Sequence, residues 1–130
     1  MTENLAVPTG DAIAYSDAAH LAVVRAFVYE RARALGLPAE RADLLTIAVS
    51  ELATNTLQHT DDGGRVRIWV EAGKITCDVV DRGPSRTFGR PMPPAEAERG
   101  RGLAIVERLC DEVTTQSGSD GTLVRLRFAL

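Results

Sequence analysis

The chain of 130 residues has two cysteines, a single lysine and no long apolar run. Cys77 and Cys110 lack metal-ligand spacing and lie among apolar neighbours, so both read as reduced core residues. No stretch reaches membrane-spanning length, and the N-terminus carries no charged-then-apolar leader pattern. The expectation is a cytoplasmic protein with no membrane partner. Positive charge is also short: 15 Lys and Arg against 18 Asp and Glu leave a net charge of −3. That balance gives no electrostatic reason to expect direct nucleic-acid binding. No internal repeat is visible. What is present is an ordinary globular composition, 45% hydrophobic and 25% charged. The length fits one domain able to bury a core without disulfides.

Residues 1–10, with Pro8, Thr9 and Gly10 and few apolar anchors, read as a flexible tail ahead of a single domain over 11–130. Asp11 to Tyr15 alternates weakly, as a short edge strand would. Ser16-Asp17 is a good N-cap for a first helix that Gly36 stops, with Leu21, Val24, Val28, Ala32 and Leu35 at helical spacing. Pro38 suits the start of a second helix that runs to His59. After a turn at Asp61-Asp62-Gly63-Gly64, two strands alternate: Val66, Ile68 and Val70, then Ile75, Cys77 and Val79. Gly73-Lys74 is the tight connection between them. Residues 84–101 hold four prolines and alternating charges, which no packed element accommodates, so they read as a long functional loop. A short helix over 102–111 and a final hairpin, turning at 118–121, complete the chain. The strand pairs read as hairpins, which predicts an α+β two-layer sandwich: a mixed, mostly antiparallel sheet with about three helices on one face.

Chemistry concentrates in four places. On the second helix Glu51, Asn55 and His59 recur every four residues and form one stripe at the edge of an apolar face. The stripe reads either as a solvated helix edge or as a site in which Asn55 offers an amide oxygen to a hard cation such as Mg²⁺ and Glu51 offers a base. At the end of the second of the two alternating strands, Asp81-Arg82-Gly83 reads as a plain turn, or as a carboxylate that accepts from an exocyclic amino group beside a glycine that admits a flat ring. Gly100-Arg101-Gly102 reads as loop flexibility or as a phosphate cradle at a helix N-terminus, with Arg99 and Arg101 among the guanidinium groups within reach. Gly121-Thr122 alone reads as a turn and a strand start.

Taken together, Glu51-x-x-x-Asn55-x-x-x-His59, Asp81-x-Gly83, Gly100-x-Gly102-Leu103 and Gly121-Thr122, in this order, resemble the GHKL superfamily of Bergerat-fold ATP-binding domains. The resemblance covers residues 11–130 and is nearest to the stand-alone anti-sigma-factor serine kinases of the RsbW and SpoIIAB type. It implies ATP and Mg²⁺ as cofactors, with Asn55 on the metal, Glu51 as catalytic base and His59 in the same nucleotide-binding stripe. It implies Asp81 on the adenine amino group, Gly83 shaping that wall and Thr122 supporting it. Arg99, Gly100, Arg101, Gly102 and Leu103 would embrace the phosphates, with about 84–101 as the lid. The implied partners are a sigma factor and an antagonist protein of the STAS type that the enzyme phosphorylates, and the implied assembly is a homodimer. The alternative is an ATP-binding module that sequesters a regulatory partner without phosphotransfer. No helix pair carrying a phospho-accepting histidine precedes the domain, which speaks against a histidine kinase. Ser85 departs from the family pattern, which often has a second glycine there.

Overall fold

A computed structural model of the protein describes residues 8–9, 11–59, 63–81, 104–118 and 121–130. In chain order these form β1 (Pro8–Thr9), β2 (Ala12–Tyr15), α1 (Leu21–Ala34), α2 (Ala39–His59), β3 (Gly64–Glu71), β4 (Lys74–Asp81), a third helix over 104–109, β5 (Glu112–Gly118) and β6 (Gly121–Ala129). The strands make one sheet in the order β1-β2-β3-β4-β6-β5. Every described pairing is antiparallel. Pro8–Thr9, inside the stretch read as a tail, pairs with Ala12 and Ile13 of β2.

Local chemistry explains the helix bounds. The Asp17 carboxylate accepts from the Ala19 N–H at 2.6 Å and caps a short 3-10 turn, Ala18–His20, that leads into α1. The far end of α1 closes as a Schellman motif. Gly36, at φ 110°, donates to the Arg33 carbonyl, and Leu37 donates to the Ala32 carbonyl at 3.0 Å. The Leu37 side chain then drops into the core. In α2, Ala42, Leu45, Val49, Leu52 and Thr56 are buried at steps of three and four, the stripe of a helix lying on a sheet. Arg41 fastens its start: the guanidinium bonds Asp111 at 2.6 Å and lies 5.0 Å over the Phe128 ring.

Alternation places two different surfaces on the sheet. Ile13, Val66, Ile68, Ile75, Cys77, Leu126 and Phe128 face the helices and share one core with Val24 and Val28 of α1, Leu45 and Val49 of α2, and Val106 of the third helix. All three helices thus cover one face, as the hairpin pattern predicted. Val70, expected in the same buried row, is exposed at the hairpin end. The opposite face carries no helix among the described residues, yet Thr76 and Asp78 of the central strand are buried on it. Side chains lying flat achieve this. Arg125 grips Asp78 through two hydrogen bonds of 2.7 and 2.8 Å, and Arg67 and Arg125 sit 5.1 and 5.5 Å from the Trp69 ring.

The β3–β4 hairpin corrects one detail of the sequence reading. Its turn residues are Ala72 and Gly73, both at positive φ (54° and 75°), while Lys74 already pairs with Glu71. Two positive φ values define the turn whose twist matches a hairpin, and alanine is a poor occupant of the first position. Ala72→Asn, which supplies the favoured Asn-Gly pair, is therefore expected to raise stability by about 0.5–1 kcal/mol. Urea unfolding checks this, and no gain in the midpoint would contradict the strain assigned to Ala72.

Candidate functional site

Antiparallel pairing brings one row of residues together at a single end of the sheet. Tyr15 of β2 pairs with Gly64 of β3, Gly64 with Asp81 of β4, and Asp81 with Thr122 of β6. Cross-strand partners point to the same face, and this row continues the apolar rows beneath α2. Asp81, at the end of β4, is only 8% exposed, and Thr122 is half-buried beside it. A carboxylate this deep has to be matched by polar neighbours. Thr122 is its cross-strand partner, and the Asp81 charge is felt at the Tyr15 phenol.

Gly64 makes the row possible. A Cβ built there would lie 2.5 Å from the Tyr15 hydroxyl and 2.5 Å from the Val80 carbonyl, so the Tyr15 ring reaches over the bare backbone of β3. Gly63, at φ 73°, would bring a Cβ to 2.1 Å from the Tyr15 carbonyl. The pair read in the sequence only as a turn therefore admits β2 against β3 and the Tyr15 ring over the backbone of β3.

Tyr15 is 2% exposed, and its hydroxyl has no hydrogen-bond partner among the described residues. Burial pushes the phenol pKa up to about 12; the neighbouring Thr56 hydroxyl pulls against this, and the Asp81 charge adds to it. Thr56 and Asp81 thus flank the same phenol. Thr56 donates its own hydrogen to the Leu52 carbonyl at 3.1 Å. Through Thr56, the C-terminal part of α2 is placed at the strand-end row.

Asn55 precedes Thr56, a quarter-turn around the helix, and is half-buried at the rim. Glu51, one turn earlier on the same stripe, is exposed. Glu51 and Asn55 therefore stand at the edge of the face that meets the row, and Asp81 and Thr122 within the row. His59 closes α2, and its side chain lies outside the described residues, as do Gly83, Arg99, Gly100, Arg101, Gly102, Leu103 and the loop 84–101. Reading the sequence missed Tyr15, Thr56 and Gly64. Tyr15 ends a weakly alternating strand and Thr56 looks like an ordinary helix residue, so only the sheet order reveals them.

The donor set bears on a metal. No cluster of three His, Cys, Asp or Glu exists among the described residues. Asn55 would contribute one neutral oxygen, which suits Mg²⁺ held mainly by phosphate oxygens and water. A buried carboxylate flanked by hydroxyls, in turn, suits a planar base bearing an amino group.

The sequence pattern of the histidine kinase-like ATPase domain matches residues 14–128. The serine-protein kinase RsbW of Bacillus velezensis is 30% identical over 125 residues, covering 84% of this chain and 78% of that protein. RsbW of Bacillus pumilus is 31% identical over 127 residues with the same coverage. Among solved structures, the RsbU and RsbW domains of Rv1364c from Mycobacterium tuberculosis superpose with a TM-score of 0.68 at 23% identity. The match covers 95% of this chain and 33% of that one. The histidine kinase domain of Erythrobacter litoralis EL346 gives 0.59 at 22% identity, over 82% of this chain and 61% of that one. At these identities the two structures speak for the fold alone.

The Tyr15 phenol offers a direct test of the row's geometry. Unfolded tyrosine ionises near 10.0 and folded Tyr15 near 12, so its contribution to stability is fully present below the lower value and is lost as pH rises through the higher one. Ultraviolet titration of Tyr29→Phe, which leaves Tyr15 as the remaining tyrosine, should show a phenolate only in that upper range. A phenolate signal at the ordinary value in folded protein would contradict the burial described.

Proposed function

Because the chain belongs to the histidine kinase-like ATPase domain family, within the GHKL superfamily, we propose that it binds ATP and transfers its terminal phosphoryl group to a serine of another protein. The observation that carries this reading is the buried Asp81, paired with Thr122 at the strand ends and backed by the α2 segment that contains Asn55. Asp81 accepts from the amino group of adenine, and Thr122 steadies that contact. Asn55 holds Mg²⁺, which when bound neutralises phosphate charge. Gly100, Gly102 and the amides that follow them, with Arg99 and Arg101, receive the phosphates, while Gly83 and residues 84–101 enclose the base and the nucleotide.

Phosphoryl transfer depends mostly on positioning and electrostatic stabilisation, so few protein groups are needed. Glu51 takes the proton as the serine oxygen bonds to the terminal phosphorus and the bond from that phosphorus to the bridging oxygen breaks, releasing ADP. Its exposure on α2 suits a base whose substrate arrives on a separate protein. The likeness to proteins named serine-protein kinase RsbW supports a protein substrate. On that reading the acceptor is a STAS-type antagonist, and the same chain holds a sigma factor when unoccupied by the antagonist.

Calorimetric titration with ATP, with and without Mg²⁺, tests the site. Asp81→Ala should weaken ATP roughly 10- to 100-fold, the worth of a hydrogen bond to a charged group. Asn55→Ala should abolish the part of binding that depends on magnesium. Glu51→Ala should keep ATP affinity but slow phosphate transfer to a STAS-type antagonist by about 10²–10⁴-fold. ATP binding without transfer to any serine would leave a sequestering module, and absence of ATP binding in the folded protein would end the nucleotide reading.

A further inference from the structure

We infer that Ile47 is a specificity-determining residue for the acceptor protein: it receives an apolar side chain that lies beside the serine, while Asp43 meets a basic group on the same surface. The inference rests on the phosphotransfer reading above, with Glu51 as the base, and supplies the chemistry of the surface that must dock there.

Position on α2 carries the argument. At 3.6 residues per turn, Ile47 falls opposite Leu45, Val49 and Leu52, the residues that seat this helix on the sheet. It is 49% exposed, whereas those three are buried. Exposed apolar side chains scattered singly are ordinary, and Val23, Val70, Ile105 and Leu130 are others among the described residues. Ile47 differs in standing one turn before Glu51, with Cβ atoms about 5–6 Å apart at that spacing.

Reach then decides what covers it. A base takes a proton from a hydroxyl about 2.6–3.2 Å away, so the acceptor serine has to come down onto Glu51 itself. A folded protein that docks specifically covers about 800 Å² of its partner, a footprint about 15 Å in radius. Ile47 lies well inside such a footprint around Glu51. An isoleucine here lowers helix propensity and leaves apolar surface in water, and a docked acceptor reverses the second of these.

Charge narrows the partner. Glu40, Asp43 and Glu51 share the exposed side of α2 with Ile47, and none of them forms an ion pair among the described residues. The helix has a single arginine, Arg41, and Asp111 holds it at 2.6 Å. An apolar knob set in a negative strip fits a serine-bearing surface with an apolar recess and a Lys or Arg beyond it. An acidic surface would be repelled.

The test uses the full chain with a STAS-type antagonist as phosphate acceptor, its concentration varied at saturating ATP. Ile47→Ala should raise KM for the antagonist roughly 5- to 30-fold, with kcat and the calorimetric affinity for ATP unchanged. Glu51→Ala should do the reverse, lowering kcat with little change in KM. Asp43→Lys should raise KM most at low salt, because salt screens the charge contact. The melting temperature of Ile47→Ala should hold or rise, since alanine is the better helix former at an exposed site. An unchanged KM in either the Ile47 or the Asp43 variant, with wild-type transfer intact, overturns the inference and leaves the kinase reading standing. A fall in kcat, ATP affinity or melting temperature in Ile47→Ala also overturns it, as an isoleucine that merely packs would behave in that way. Wild-type protein that phosphorylates no antagonist removes the phosphotransfer reading and this inference with it.

Discussion

Strand register is the constraint on which the rest of this protein depends. In a sheet the side-chain period is two, so a slip of one residue sends a whole row to the other face. Here β3 and β4 are locked by a two-residue turn, and β5 and β6 by a second hairpin. The two units meet along β4 and β6, where Phe128 faces Ile75, Leu126 faces Cys77 and Val124 faces Val79. Those apolar pairs fix the register beneath the helices. The same register, continued to the strand ends, sets Thr122 against Asp81 and Tyr15 against Gly64. The candidate site is therefore a by-product of core packing, held by interactions far stronger than any it makes itself.

The two faces solve burial by different means. Beneath the helices, apolar side chains interlock and Cys77 is so enclosed that burial drives its thiol pKa far above normal. On the other face, the central strand is sheltered by Arg67, Trp69 and Arg125 lying along the surface. Asp78 tolerates 3% exposure because the Arg125 fork satisfies both of its oxygens. Charge at this surface thus acts as a lid on the sheet as well as a contribution to solubility.

Much of this architecture is legible in the sequence, for identifiable reasons. The long apolar stripe of α2 and the alternation of β3, β4 and β6 depend on nearest neighbours, which periodicity records. Gly36 announces the end of α1 because only a residue free at positive φ closes a Schellman motif so readily. Asp81 and Thr122 could be singled out by resemblance, though not their pairing across two strands. What periodicity does not record is the order of strands. Nothing in Ile13 or Tyr15 says that β2 pairs with β3, and nothing in Gly64 says that a tyrosine will cross it. The burial of Asp78 is hidden likewise, since it depends on Arg125, which lies far along the chain and adjacent only in the folded sheet.

The strand order also has a meaning for synthesis. β4 sits at the centre, yet one of its neighbours, β6, is made well after it. While the intervening chain is emerging, β4 is an edge strand, with free backbone groups and a row of Ile75, Cys77 and Val79. A strand of that kind is a template for pairing with the wrong chain, and the hazard lasts as long as the ribosome takes to deliver residues 121–129. A pause in translation within 82–120 would lengthen that exposure. The timing of elongation, and not only the stability of the finished fold, then bears on how much of the protein reaches its native state.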